Sequence, residues 1–207
     1  RHFLPKTLAS YREEHPAVTF DFLQQSGEEA EHALRSLEVD LAMIFEPIKT
    51  VDFQTMVTAR QQLHCIMSIN HPLAEKAAIR LRDCSGQSAV LPRADSGVRQ
   101  LLNVGLIRRN TELEIVAESN NQEFIHSYLI QEPVLSFQIP IALPPGMLES
   151  IGGENNVVAR PVDLSDVPAG ILHVGQLKGR VLPVAAAKFL DTIITELSMR
   201  YSEDLDQ

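Results

Sequence analysis

The sequence predicts an α/β protein with mostly parallel sheets, arranged in two lobes. Three observations carry this expectation. Apolar runs of strand length, such as Leu41–Phe45, alternate with segments whose apolar residues recur at helical spacing. Two such series follow one another, separated by a polar patch at Asp83–Gln87. A last helix behind Pro183 has an apolar face that needs a sheet to cover it. The expected division is residues 1–88 with 170–207 in one lobe and 89–169 in the other.

Pro5 suits a first helical turn, and Leu4, Leu8 and Tyr11 follow on one face before His15-Pro16 ends the run. Val18, Phe20 and Phe22 alternate with polar neighbours as a strand does. Ser26-Gly27-Glu28-Glu29 is a capping box, in which hydroxyl and carboxylate each satisfy a free N–H. Ala30, Ala33, Leu34 and Leu37 then mark a second helix. Leu41–Phe45 reads as a strand covered on both faces, which suits a parallel sheet. Strands follow at Phe53–Val57 and Leu63–Ile69, and then His71-Pro72-Leu73-Ala74.

The second series opens with a strand at Ser88–Leu91 and a turn and cap at Asp95-Ser96-Gly97. A helix face of Val98, Leu101, Leu102 and Leu106 comes next. Leu113, Ile115 and Ala117 alternate with glutamates. Asn120, with Glu123 three residues on, predicts the cap of a further helix carrying Phe124, Ile125, Tyr128 and Leu129. Strands are expected at Val134–Ile139, Val157–Pro161 and Ile171–Val174. The final helix presents Ala186, Phe189, Leu190, Ile193, Ile194 and Leu197 on one face, and Ser202–Gln207 is an acidic tail.

Charge excludes one class of function for the chain alone. With 27 acidic against 18 basic residues the net charge is −9, and the basic residues are scattered, so no stripe exists to displace counterions from a nucleic acid. Cys65 and Cys84 cannot form a disulfide framework for 207 residues and read as reduced thiols, of which at least Cys65 is packed. No apolar run approaches a membrane span, and no secretory signal is visible. The seven histidines show no HxxxH, HExxH or CxxC spacing, so no metal is expected. No nucleophile elbow, P-loop or GxGxxG occurs, so neither catalysis nor a cofactor is expected.

Asp95-Ser96-Gly97 is the leading ligand candidate. A helix N-terminus offers free N–H groups and partial positive charge, and Ser96 adds a hydroxyl, so an anion fits. A plain cap without ligand is the other reading, and the one these residues alone favour. Ser119-Asn120-Asn121 repeats the arrangement at the next strand-to-helix turn, where α/β folds bind ligands. Phe45 and Glu46 follow a buried strand at a similar edge, and His2 and Phe3 complete the candidate set.

Several segments resemble the effector-binding domain of LysR-type transcriptional regulators. Leu4-Pro5-Lys6-Thr7-Leu8 through Pro16-Ala17-Val18 is similar to that family's opening "LP..L" and "P.V". Leu34 through Ala42 resembles its "L..g.lDlai", His71-Pro72-Leu73-Ala74 matches a common family tetrad, Ala94–Arg99 resembles "..sg.r", and Ala185–Leu190 resembles the last-helix "aa..f". The resemblance implies a type 2 periplasmic-binding-protein-like fold with a ligand cleft between two lobes. It implies a small polar effector, a homodimer or higher homo-oligomer, a cytoplasmic location, and DNA contact only through an N-terminal helix-turn-helix not present here. It places the family's first strand before the chain begins. The alternative of the same fold is an extracytoplasmic solute-binding protein. One departure stands out: Gln131–Pro140 lacks the glycines of the family's "aGlGi..lP".

Overall fold

The structure, a computed structural model, describes residues 3–149 and 156–201. In chain order the helices are α1 (Phe3–Glu14), α2 (Gly27–Arg35), α3 (Gly97–Arg109), α4 (Gln122–Gln131), α5 (Pro145–Glu149) and α6 (Val184–Arg200). The strands are β1 (Ala42–Phe45), β2 (Phe53–Gln61), β3 (His64–Ser68), β4 (Ser88–Leu91), β5 (Glu114–Glu118), β6 (Ser136–Gln138), β7 (Val157–Pro161) and β8 (Gly170–Leu177). Two compact units result, one of Phe3–Arg60 with Ile171–Gln207 and one centred on Gln61–Gly170. This differs from the expected boundary at residue 88. β3 pairs with β6 and β7, so the stretch from Gln61 onward is tied to the later strands.

The first unit has a three-stranded sheet in the order β1-β8-β2. β1 and β8 run antiparallel, with Ile44 opposite His173. The Ser26 capping box forms as read: the Glu29 N–H donates to Ser26 Oγ at 3.3 Å and the Ser26 N–H to Glu29 Oε2 at 2.8 Å. α2 packs Leu34, with Ala30 beside it, on Ala42 and Ile44 of β1. Glu31, also on α2, is buried and accepts the N–H groups of Lys49 and Thr50 at 2.8 and 2.7 Å, which fixes the loop after β1. α1 joins α6 through Tyr11, whose ring lies 5.2 Å from that of Phe189 and whose hydroxyl donates to the Ala185 carbonyl at 3.2 Å.

Val18–Phe22 is not a strand. The alternation is present, but a strand exists only where a neighbour completes its ladder, and among the described residues none pairs there. Instead the Phe20 ring packs 4.7 Å from Phe189, and Phe22 stacks on Phe20 at 6.0 Å while staying 51% exposed.

In the second unit β3 lies between β6 and β7, antiparallel to both, and β4 lies parallel to β5. A parallel bridge between Ala89 and Leu135 links the two ladders. The sheets are therefore mixed, not mostly parallel. An apolar run shows that both faces of a strand are covered; it carries no signal for the direction of the neighbour. Ile66, Val90, Ile125, Leu129 and Met147 belong to the core that α4 and α5 close over this sheet.

The glycine-free segment takes ordinary backbone: none of its residues has positive φ. Leu135 donates its N–H to the Ser88 carbonyl and accepts the N–H of Val90, at 2.9 and 2.8 Å. The strand expected at Val134–Ile139 shortens to Ser136–Gln138. His71 explains its tetrad, because its Nδ1 accepts the Leu73 N–H at 3.2 Å and caps a 3₁₀ turn at Pro72–Glu75. The expected acidic tail and His2 lie outside the described residues. Among the described residues no helix is long and apolar enough to cross a membrane.

Candidate functional site

Because β4 and β5 are parallel, with Leu91 opposite Glu118, both strands end at one edge of the second unit. The two turns that lead into α3 and α4 therefore lie side by side, and the Ser119 N–H donates to the Leu91 carbonyl at 2.9 Å. Asn120 stitches the turns together. Its Oδ1 accepts the Arg93 N–H at 3.0 Å, and its Nδ2 donates to Asp95 Oδ1 at 3.3 Å. Asn120 is thus not the cap of α4. That role falls to Asn121, whose Oδ1 accepts the N–H groups of Glu123 and Phe124 at 2.9 and 3.1 Å. Ser119 Oγ in turn accepts the Asn121 N–H at 3.0 Å.

Ser96 occupies the N-cap position of α3 with extended backbone, yet its side chain makes no capping bond. The hydroxyl is uncommitted at the start of a helix of 13 residues, beside the free N–H groups of the first turn. Gly97 opens the helix, and Arg93 is exposed two residues before Asp95. The site can offer an anion a hydroxyl and a helix N-terminus, with the Asp95 carboxylate, held by Asn120, at the same turn.

Arg99, part of the Ala94–Arg99 resemblance but not of the candidate site residues, supports both turns. It is only 8% exposed and sits on the buried stripe with Leu102, where spacing alone calls for an apolar residue. Its guanidinium donates to the Pro92 carbonyl at 2.9 Å, to Glu118 Oε1 at 2.5 Å and to Asn103 Oδ1 at 3.0 Å. It locks the start of α3 to the ends of both strands, a use of the planar donor fork that lysine could not reproduce.

The remaining candidates belong to the other unit. Phe45 ends β1, half-buried, and the Glu46 N–H donates to the Ile171 carbonyl at 3.0 Å. Burial lowers the pKa of His173 and the nearby Glu46 carboxylate opposes that; its Nδ1 lies 3.1 Å from Thr55 Oγ1. Phe3 is 4% exposed and buried within α1, so its side chain is committed to packing.

Residues 1–198 match the LysR substrate binding domain. The chain belongs to this family. Its solved neighbours include the effector binding domain of QuiR in complex with shikimate, at a TM-score of 0.78 and 19% identity, covering 97% of this chain and 92% of that one. Another is the Synechocystis PCC6803 CcmR regulatory domain in complex with 2-PG, at 0.78 and 21%, covering 95% and 91%. These likenesses show the two-lobed, type 2 periplasmic-binding-protein-like α/β fold.

Among curated relatives, the transcriptional dual regulator GltC of Bacillus subtilis is 28% identical over 42% of this LysR-family chain and 30% of its own length. The uncharacterized HTH-type transcriptional regulator YwbI of the same organism is 20% identical over 59% and 41%. The matched stretch thus spans well under half of these relatives. They are regulators of transcription, and the LysR-family chain is an effector-binding domain of that kind rather than a solute receptor of the same fold.

Proposed function

We propose that this domain senses a small organic acid through the paired turns at Asp95-Ser96-Gly97 and Ser119-Asn120-Asn121. Binding would bias a cytoplasmic transcription factor whose DNA contact is made by a separate helix-turn-helix domain. The observation that carries the reading is the uncommitted Ser96 hydroxyl at the α3 N-terminus, held beside the Arg93 turn by Asn120. Shikimate and 2-PG, held by the solved neighbours, are both small organic acids, and an acid suits a helix N-terminus. Differential affinity of such an effector for two arrangements of the domain shifts their populations, which is all the switching that regulation requires. At net charge −9 the domain itself is not the DNA-binding part.

A second copy of the chain is the proposed partner, through α1 and α3. On α3, Val104 and Ile107 are 61% and 82% exposed on the face opposite the core.

The test is calorimetric titration of the wild-type domain and Ser96→Asp with a panel of anionic, neutral and cationic metabolites. An anionic ligand should bind the wild type, and Ser96→Asp should fold normally yet lose at least about tenfold in affinity, because it sets a carboxylate where the anion sits. Equal affinity in Ser96→Asp overturns the placement of the effector at α3.

A further inference from the structure

We propose that the outer edge of β2 is a self-association surface, where two copies of this chain pair their β2 strands antiparallel about a two-fold axis. β2 ends the order β1-β8-β2, so among the described residues its one ladder neighbour is β8. The Asp52 carbonyl accepts the Lys178 N–H at 2.7 Å, and a Cβ on Gly175 of β8 would lie 2.2 Å from the Gln54 carbonyl oxygen. Both carbonyls thus face β8. Backbone groups alternate in direction along a strand, so Thr55 and Val57 turn their N–H and C=O outward. Gln54, Thr55, Met56 and Thr58 are exposed, whereas Ala59 is buried and closes the open stretch.

The other strands at the ends of ladders are guarded in the ways that edges usually are. β1 has four residues, and β6 has three that are all buried. β7 is buried over Val157–Ala159 and ends in Pro161. β5 is exposed but carries Glu114 and Glu118, which would meet like charges in a symmetric pair. β2 has nine residues and no proline. No acidic residue occurs between Asp52 and Glu75, in a chain of net charge −9.

Register selects a second copy as the occupant. A pair centred on Met56 sets Thr55 against Val57 of the other copy, so the outward groups of each strand bond those of its partner. It sets Gln54 against Thr58 and Asp52 against Arg60, so opposite charges lie together at both ends and no like charges meet. Met56, 41% exposed, meets its own copy across the axis. The pairing rests on the backbone and on Met56; Arg60 need only avoid a like charge. The surface includes no residue of α1 or α3, so it is separate from the partner contact proposed above.

The test joins sedimentation velocity of the chain with cysteine cross-linking. In this register the two Met56 Cα atoms lie about 4.5 Å apart, as in other non-hydrogen-bonded pairs, which is within disulfide reach. Met56→Cys is therefore expected to form a disulfide-linked dimer with oxidised glutathione, while Cys65 and Cys84 stay buried. Val51→Cys is the control: Val51 is 87% exposed, yet it lies roughly 30 Å from its copy in this register and should link at least about tenfold more slowly. Val57→Pro removes only an outward N–H, and Met56→Lys sets two like charges face to face. Each should weaken self-association at least about tenfold, with far-UV circular dichroism unchanged. If Val57→Pro does not fold, Met56→Lys decides. Equal linking of Val51→Cys, or unchanged association in the folded variants, overturns the surface. A chain that stays monomeric at millimolar concentration without linking at Met56→Cys overturns it too. Association lost in Ile107→Glu but kept in Met56→Lys belongs to α3, and likewise overturns the β2 pairing.

Discussion

Asn120 donates to Asp95 across the ends of two parallel strands, at 3.3 Å, while its own carbonyl oxygen accepts the Arg93 N–H at 3.0 Å. One side chain thereby ties the turn before α3 to the turn before α4. Asn120→Ala removes both bonds and leaves the Arg93 N–H to solvent, which should cost about 1 kcal/mol in urea denaturation. Because the bond has two ends, Asp95→Ala in the Asn120→Ala background should cost less than in the wild type. Strict additivity of the two substitutions would show that the bond carries no energy.

Asp166 should set part of the acid limit of stability. It is 1% exposed and accepts from Arg80 Nε and Nη2 at 2.8 and 2.7 Å, from the Leu81 N–H at 2.9 Å, and from Arg109 at 2.7 Å. The Arg80 bonds foremost hold its pKa down at about 2, against 3.8 ordinarily. The native state therefore binds fewer protons than the unfolded one between these values. Its contribution, roughly 2 kcal/mol, is complete above about pH 4 and is lost as pH falls towards 2. Asp166→Asn should destabilise the domain at pH 7 and flatten this part of the pH profile; a profile of unchanged slope would count against it.

Gly175 should not tolerate a side chain. A Cβ there would lie 2.2 Å from the Gln54 carbonyl oxygen and 2.7 Å from Phe53 Cζ, so β2 or the ring must move. Gly175→Ala should cost about 3 kcal/mol by thermal or urea unfolding. At Gly146, in α5, an added Cβ would meet nothing within 4 Å, so Gly146→Ala should be neutral or stabilise by up to about 1 kcal/mol. A Gly175→Ala variant as stable as Gly146→Ala would contradict the packing of β8 against β2.

Both thiols should be inert in the native domain. Cys65 and Cys84 are fully buried, and burial, reinforced by the contact between them, pushes the Cys65 thiol up. The thiolate is the reactive form, so a disulfide reagent should label neither cysteine before global unfolding and both after it. Fast labelling under native conditions would place at least one thiol outside the core.

Much of this molecule is readable without coordinates, because the signals are local. The capping box at Ser26, the helices behind Pro5, Gly97 and Pro183, and the strands at Ala42–Phe45 and Ser88–Leu91 follow from apolar period and cap chemistry, which act within a few residues. The segments similar to LysR-type regulators likewise pointed to the family that residues 1–198 match. What tertiary structure decided involves partners distant in sequence. Val18–Phe22 alternates like a strand but has no ladder neighbour among the described residues, and the buried runs did not disclose that β3 lies antiparallel to β6 and β7. Asn120 and Asn121 are both suitable caps; only the placement of Asp95 and Arg93 across the strand ends drew Asn120 away and left the cap to Asn121. Arg99 sits where spacing calls for an apolar residue, because Glu118 and the Pro92 carbonyl await it there. Local hydrogen bonds and side-chain periodicity are written along the chain, whereas strand direction, shared acceptors and buried charges depend on which distant segment arrives beside them.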